Sequence, residues 1–580
     1  MDIEETIWII GLENALKHSG KTKTKFVLKG ILSEHPEYRE KIGEIKSLID
    51  DIVGQINKLS IDQQQQKFES KSPIEIKKTT RIKEEKELPP LENVDKYKKL
   101  TFRLAPYPSG PLHIGNARMV ILNDTYKKMY KAKLFLVYDD TIGSEEKIIV
   151  PEAYDLIKEN LEWLGVEIDK IFYKSDRIPK FYDYCSKLLE MHKAYVCTCD
   201  ADLWRTEYGR KREKIGKPCP HRNQTIEENL EHWEKMLDGT YLEKQAVVRL
   251  KTGMELKNPA VRDHVIMRIA EREHPRVGSK FRVWPLLEFS WGIDDHLLGI
   301  THILRGKDLI KEDIIESKIW KLFNWPEIEF IHYGLISFGD LKLSKTYSRQ
   351  QIKKGIFIGW DDPRTWSLNS LAKRGILSES LIEIILDLGL SLTDIKFDPG
   401  RLYDLNGKKI EKTSNRYFFV DDPIELIIKK IPDIKLIAEP LIHPDFPERG
   451  TRKIELSKVN GKIKVLVSKR DLSKLNPGML VRLKDLFNIE ILDIKQPIQS
   501  KYHSKEMEIA RSKKFKILHW VPTEENVPIS IILDDGNVTE GFGEPYCKNI
   551  KTGEILQFER FGFVKIDKIS PQIHGFFTHR

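Results

Sequence analysis

Residues 100–120, LTFRLAPYPSGPLHIGNARMV, constrain the fold of this chain more than any other stretch. Leu100, Phe102 and Leu104 alternate with less apolar neighbours, which predicts a short strand. Pro106, Pro108, Gly110 and Pro111 then interrupt it, and a helix is expected from about Ile114. A strand, a Pro/Gly turn and a helix N-terminus leave backbone N–H groups and the positive end of the helix dipole facing the turn, a place for an anion. His113 lies at that mouth as a donor for a phosphate oxygen, and Gly115 lets the backbone approach closely. Taken alone, the stretch favours the phosphate reading only slightly over an ordinary βα connection carrying a surface histidine.

A chain of 580 residues exceeds one hydrophobic core, so three to five domains are expected. The hydrophobic share of 40% and charged share of 32% describe a globular protein, and the net charge of +9 is compatible with a polyanionic partner without requiring one. No apolar run is long enough to span a bilayer and the acidic start MDIEET is no secretory signal, so a cytoplasmic protein without a membrane segment is expected. Five cysteines exclude a disulfide scaffold and suit a reducing compartment.

Along the chain, Ile42, Ile45, Ile49, Ile52 and Ile56 recur at spacings of three and four and predict an amphipathic helix in a helical appendage over 1–58. Its apolar face is expected to pack on itself, with docking on RNA or a protein as the alternative. QQQQ at 63–66, KKTTRIKEEKE at 77–87 and the Pro89-Pro90 pair predict a flexible charged linker over 59–97. Leu134–Tyr138 reads as a buried parallel strand that ends in Asp139-Asp140-Thr141, which puts two carboxylates where open α/β sheets place ligands. An amphipathic helix follows over 151–164, and the alternation of strand and helix predicts a doubly wound sheet. Cys197-Thr-Cys199 and Cys219-Pro-His221 form two paired knuckles whose four ligands match a closed tetrahedral zinc site, against the alternative of four unliganded side chains. Cys185 and Cys547 read as core residues. Ile300–Leu304 predicts a strand with Arg305 and Asp308 at its end, and the loop from Gly339 to Thr346 presents Lys342, Ser344 and Lys345 to a phosphate.

Together these segments resemble the class I aminoacyl-tRNA synthetases, most closely the archaeal/eukaryotic glutamyl-tRNA synthetases, with the glutaminyl enzymes as near relatives. APYPSGPLHIGN stands at the family's HIGH motif, VYDDT at RFDDT, and KLSKT at KMSKS; DDHLLGITHILRGKD and GWDDPRTWSLNSLAKRGI follow in family order. HPDFPERGTRKIEL, KILHWVP and LQFERFGFVKID resemble the two anticodon-reading β-barrels, and their β-rich runs between Gly/Asn/Pro turns agree with that. The resemblance implies a multidomain α/β protein. Its parts are a Rossmann-type catalytic domain (98–180 and 286–350), an inserted acceptor-stem-binding domain (181–285), a helical connecting domain (351–412) and anticodon-binding β-barrels (413–580).

It further implies that L-glutamate is joined to tRNA(Glu) through a glutamyl-adenylate, with tRNA(Gln) left open as a second acceptor. ATP with Mg2+ is consumed and a monomer is expected. By motif position, His113 and Lys345 would be catalytic. Pro108, His113, Gly115, Asn116, Asp308, Lys342, Ser344 and Lys345 would bind ATP; Arg103, Ala105, Asp139 and Arg305 would bind the amino acid. Arg305 favours a carboxylate over an amide, since glutaminyl enzymes typically carry an uncharged residue there. Val137, Ile142-Gly143, Leu287 and the last residue of KLSKT depart from the family pattern. A glutaminyl enzyme and a non-catalytic tRNA-binding paralogue therefore remain alternatives.

Overall fold

The structure is a computed structural model that describes the chain except residues 1–2, 18–19, 35–37, 39–41, 61–62, 65, 69–87, 144–147, 210–214 and 340–342. It divides into two units, Met1–Glu87 and Leu88–Arg580. In the first, helices α1 (Ile3–Lys17), α2 (Thr24–Glu34) and α3 (Ile42–Ile56) bury Ile7, Leu12, Val27, Ile31 and the apolar face Ile45, Ile49, Ile52 and Ile56. Gln64 is fully buried, and its Nε2 donates to the carbonyls of Gly20 and Ile56 at 2.9 Å each, which satisfies chain ends that the helices leave unpaired.

The second unit begins inside the segment expected as linker. Leu88 and Leu91 are buried in the main core, the Tyr126 hydroxyl donates to Pro89 O, and Leu91 N donates to the Tyr130 hydroxyl, both at 2.8 Å. Residues 88–97 are therefore part of a packed domain: two leucines beside Pro89-Pro90 bury more than the lysine-rich run before them suggests. The central linker expectation, residues 69–87, lies outside the described residues.

Strands β1 (Thr101–Leu104), β2 (Lys133–Tyr138) and β3 (Lys170–Tyr173) form a parallel sheet in that order, crossed over by helices α4 (Ile114–Tyr130) and α5 (Ala153–Trp163). After α6 (Ile178–Glu190), an antiparallel four-stranded insert follows: β4 (Ala194–Cys197), β5 (Val247–Leu250), β6 (Val265–Ile269) and β7 (Val283–Pro285), with α7 (Ile226–Leu237). The chain then returns through α8 (Leu287–Leu297), β8 (His302–Gly306), α9 (Ile310–Leu322) and β9 (Glu329–Tyr333), with β8 and β9 parallel. Thr301 N donates to Thr101 O, and Thr101 N to the Thr301 hydroxyl, both at 3.0 Å, which stitches the second parallel pair to the free edge of β1.

Helices α10 (Lys345–Lys353), α11 (Leu368–Arg374), α12 (Ser378–Leu388) and α13 (Pro399–Ile410) lead to two seven-stranded sheets. Each has its own apolar core, one around Leu426, Val465, Ile489 and Trp520, the other around Phe419, Ile529, Phe558 and Val564. Among the described residues no helix is long and apolar enough to cross a membrane.

Candidate active site

The turn between β1 and α4 is held from two directions. His113 is the N-cap of α4: its Nδ1 accepts from Gly115 N at 3.0 Å, while Asn116 Oδ1 accepts from His113 N at 3.2 Å. From the helical segment, Ile114 N donates to Trp366 O at 3.1 Å and Leu368 N to Leu112 O at 2.8 Å. Gly110 has φ +147°, and a Cβ there would lie 2.7 Å from the Trp360 ring, so only glycine fits. Ser344 caps α10 by accepting from Tyr347 N at 3.2 Å, and Lys345, the first residue of that helix, rests its Nζ on Gly110 O at 3.3 Å. Lys345 and His113 line one narrow cleft with Pro111, Ser348 and Trp360.

Burial sets the charge of both groups. It drives the His113 pKa down to about 3, helped by the Lys345 ammonium, so the ring is neutral. With Nδ1 occupied by the Gly115 N–H, the proton sits on Nε2, which is left as a donor. Burial likewise lowers Lys345 to about 8.

At the C-terminal ends of β1, β2 and β8 lies a buried cluster of charges. Lys174 is fully buried, its Nζ 2.9 Å from Asp139 Oδ1 and 2.6 Å from the Ser290 hydroxyl. Arg103 pairs with both oxygens of Asp295, at 2.5 and 2.8 Å. Arg305 donates to Glu316 Oε1 at 2.7 Å and also to Asp313, whose second oxygen lies 3.0 Å from His332 Nε2. Trp291 stands among the cations, its ring centre 4.6 Å from Arg103, 5.0 Å from Lys174 and 5.4 Å from Arg305. Burial pushes the Glu316 carboxyl up while Arg305 beside it pulls it down, and burial raises Asp294, which pairs with Arg177, to about 6.

The structure thus brings Arg103, Asp139 and Arg305 into one cluster, and Pro108, His113, Gly115, Asn116, Ser344 and Lys345 into the turn and the helix facing it. Ala105 is half-buried just after β1, and Asp308 is exposed in the turn after β8. Lys342 lies outside the described residues. Two sequence expectations need adjustment. Arg305 lies within its strand, which runs two residues further than expected, and neither arginine presents a free guanidinium: each is matched by carboxylates of the chain. The cause is burial, since Arg103 is 6% and Arg305 3% exposed, and an unpaired buried cation is costly. Those partners, Asp295, Asp313 and Glu316, and the buried Lys174 were not singled out from sequence. The carboxylates of the DDHLL stretch were the nearest signal.

In the insert, Cys197, Cys199, Cys219 and His221 place four ligand atoms within 4.8 Å of one another. Cys197 Sγ and Cys219 Sγ are 3.9 Å apart, close to the roughly 3.8 Å edge of a tetrahedron with zinc–sulfur bonds of about 2.3 Å. His221 Nδ1 lies 3.3 Å from Cys199 Sγ, and its Nε2 lies 2.9 Å from the Thr198 hydroxyl, an outer partner that holds the ring with Nδ1 facing the thiols. The donor set and its geometry fit zinc.

A parallel sheet with a histidine-capped turn, a lysine at a second helix start and carboxylates at the strand ends is the frame of a nucleotide-activating α/β enzyme. Residues 99–412 match the family model described as "tRNA synthetases class I (E and Q), catalytic domain", and residues 414–509 and 517–567 match the two anti-codon binding domain models of the same family. The chain belongs to the class I tRNA synthetases of the E and Q type. It is 43% identical over 588 residues to the glutamate--tRNA ligase of Pyrococcus abyssi (strain GE5 / Orsay), with 100% of both chains covered. It is 43% identical to that of Methanocaldococcus jannaschii, covering 98% of each, and 38% identical to that of Methanobrevibacter smithii, covering 100% of each.

Proposed function

We propose that this chain is a glutamate--tRNA ligase that attaches L-glutamate to tRNA(Glu) in two steps. The observation that carries this reading is the full-length identity to relatives of that name, joined to a turn in which a neutral donor and a buried lysine share one cleft. In the first step a carboxylate oxygen of glutamate attacks the α-phosphorus of ATP and pyrophosphate leaves. His113 Nε2–H and the positive end of the α4 dipole meet the charge growing on the α-phosphate, and Lys345 neutralises it from the same cleft. No general base is required, because the attacking group is already an anion. In the second step the tRNA 3′-terminal hydroxyl attacks the acyl carbon and AMP leaves.

Asp139, a carboxylate at the end of β2 beside the nucleotide turn, is the partner of the substrate ammonium, which joins Lys174 on it. The Arg305 side receives the substrate side chain. A glutamate carboxylate there takes the place of Asp313, the more exposed of the two internal partners at 16% side-chain exposure against 0% for Glu316. The two seven-stranded sheets are read as barrels that meet the anticodon, and the insert as the platform for the acceptor stem. The decisive assay is parallel charging of total tRNA with labelled glutamate and glutamine. Glutamate alone should be incorporated, and glutamine incorporation at a comparable rate would overturn the assignment.

Cys197, Cys199, Cys219 and His221 would hold a structural zinc, which supplies folding energy to the insert and no open coordination position. Purified protein is expected to carry about one zinc per chain by elemental analysis. Cys219→Ser should lose it and destabilise the insert to proteolysis, and metal-free wild type with an intact insert would refute the site.

A further inference from the structure

The insert reaches into the amino-acid side of the cluster through the turn between β6 and β7. His274, 1% exposed, stacks on Trp284 with ring centres 5.1 Å apart. Its Nδ1 accepts from Arg276 N at 3.1 Å and lies 3.4 Å from Val277 N, so the proton sits on Nε2. That nitrogen donates to the Asp140 carbonyl at 2.7 Å. Two residues before His274, the Arg272 guanidinium donates to the Ile142 carbonyl, also at 2.7 Å. A Cβ at Gly143 would lie 3.2 Å from Pro285 O and 3.4 Å from Trp284 O, so the backbone of β7 lies directly against the same segment. The Asp140 carboxylate is held separately, by Ser175 N at 2.9 Å and by the Ser175 and Tyr154 hydroxyls at 2.7 and 2.9 Å.

Residues 139–143, where the chain leaves β2, thus have two carbonyls gripped by the insert and not by the sheet that carries them. Asp139 N donates to Pro106 O at 3.1 Å, and the His274 bond fixes the peptide that follows the next residue, Asp140, so the backbone is held before Asp139 and just after its neighbour. We propose that His274 is a positioning residue for the amino-acid pocket, whose Nε2–H pins the Asp140 carbonyl and thereby aims the Asp139 carboxylate at the substrate ammonium. This rests on the reading of Asp139 given above. It makes the docking of the insert a condition for a well-formed amino-acid pocket.

Two substitutions separate the two nitrogens. His274→Asn keeps an acceptor for the Arg276 N–H but is too short to reach Asp140 O; His274→Gln places an amide N–H near the depth of Nε2. With saturating ATP and tRNA, His274→Asn should raise KM for glutamate about tenfold, the loss expected for one hydrogen bond. KM for ATP should stay within about twofold, and His274→Gln should recover most of the loss. Arg272→Gln, on the half-buried side of the same turn, should raise KM for glutamate about threefold and reports on the clamp should His274→Asn not fold. Equal effects of Asn and Gln, or a parallel rise in both KM values, would mean that His274 only supports the insert. Asp139→Asn is measured alongside. If it leaves KM for glutamate unchanged, the pocket reading and the clamp fall together; if it raises KM while the His274 and Arg272 variants do not, the clamp alone falls.

Discussion

Replacing Lys345 by Met should lower kcat for aminoacylation by about 10²–10³-fold, the loss typical of removing one preorganised group aimed at developing transition-state charge. The side chain has little other work, because its resting contact is a single hydrogen bond to Gly110 O and α10 is capped by Ser344. Steady-state tRNA binding should therefore be unchanged. The pH profile gives a second reading of the same residue. Burial lowers Lys345 to about 8, so the ammonium is present below that pH and lost above it. The rate kcat/KM for ATP, which reports the free enzyme, should fall as pH rises through about 8. Bound phosphates favour the charged form, so the alkaline limb of kcat should lie higher. Lys345→Arg, whose charge does not titrate in this range, should remove the limb from kcat/KM even if its absolute rate is low. A limb that persists in Lys345→Arg would assign it to another group.

What the sequence made legible was local. The strand and helix flanking the turn fall where the alternation and the prolines put them, at Thr101–Leu104 and from Ile114, because both signals lie within twenty residues of each other. The four Cys/His ligands converge because β4 and the turn at Pro220 carry them as short paired knuckles, and Cys185 and Cys547 are buried as expected. Long-range pairing was not legible. Arg103 meets Asp295 across 192 residues of sequence and His274 meets Asp140 across 134, and nothing in either segment's composition specifies the partner. The packed end of the linker was missed for a related reason: the environment of Leu88 and Leu91 is made by Tyr126 and Tyr130, which belong to a later helix.

Arg305 is where that distinction has the largest consequence. Arg305→Met leaves Glu316, fully buried, without its cation, and breaking a buried pair from one side costs about 3–5 kcal/mol. A fall in Tm on the order of 10 °C is expected for the catalytic transition. A loss of glutamate charging in that variant would therefore say nothing about recognition. Arg305→Met/Glu316→Gln removes the stranded carboxylate as well and should regain most of the stability. Asp313 keeps His332 as a partner in that background. If Arg305 receives the substrate side chain, the double variant folds, binds ATP and tRNA, and shows a KM for glutamate raised about 100-fold or more, the range for a lost charge-assisted bidentate contact. If Arg305 serves only to neutralise Asp313 and Glu316, the double variant charges glutamate at nearly the wild-type rate. Selection of the acid over the amide must then come from Lys174 and Arg103, which share the Trp291 face with it.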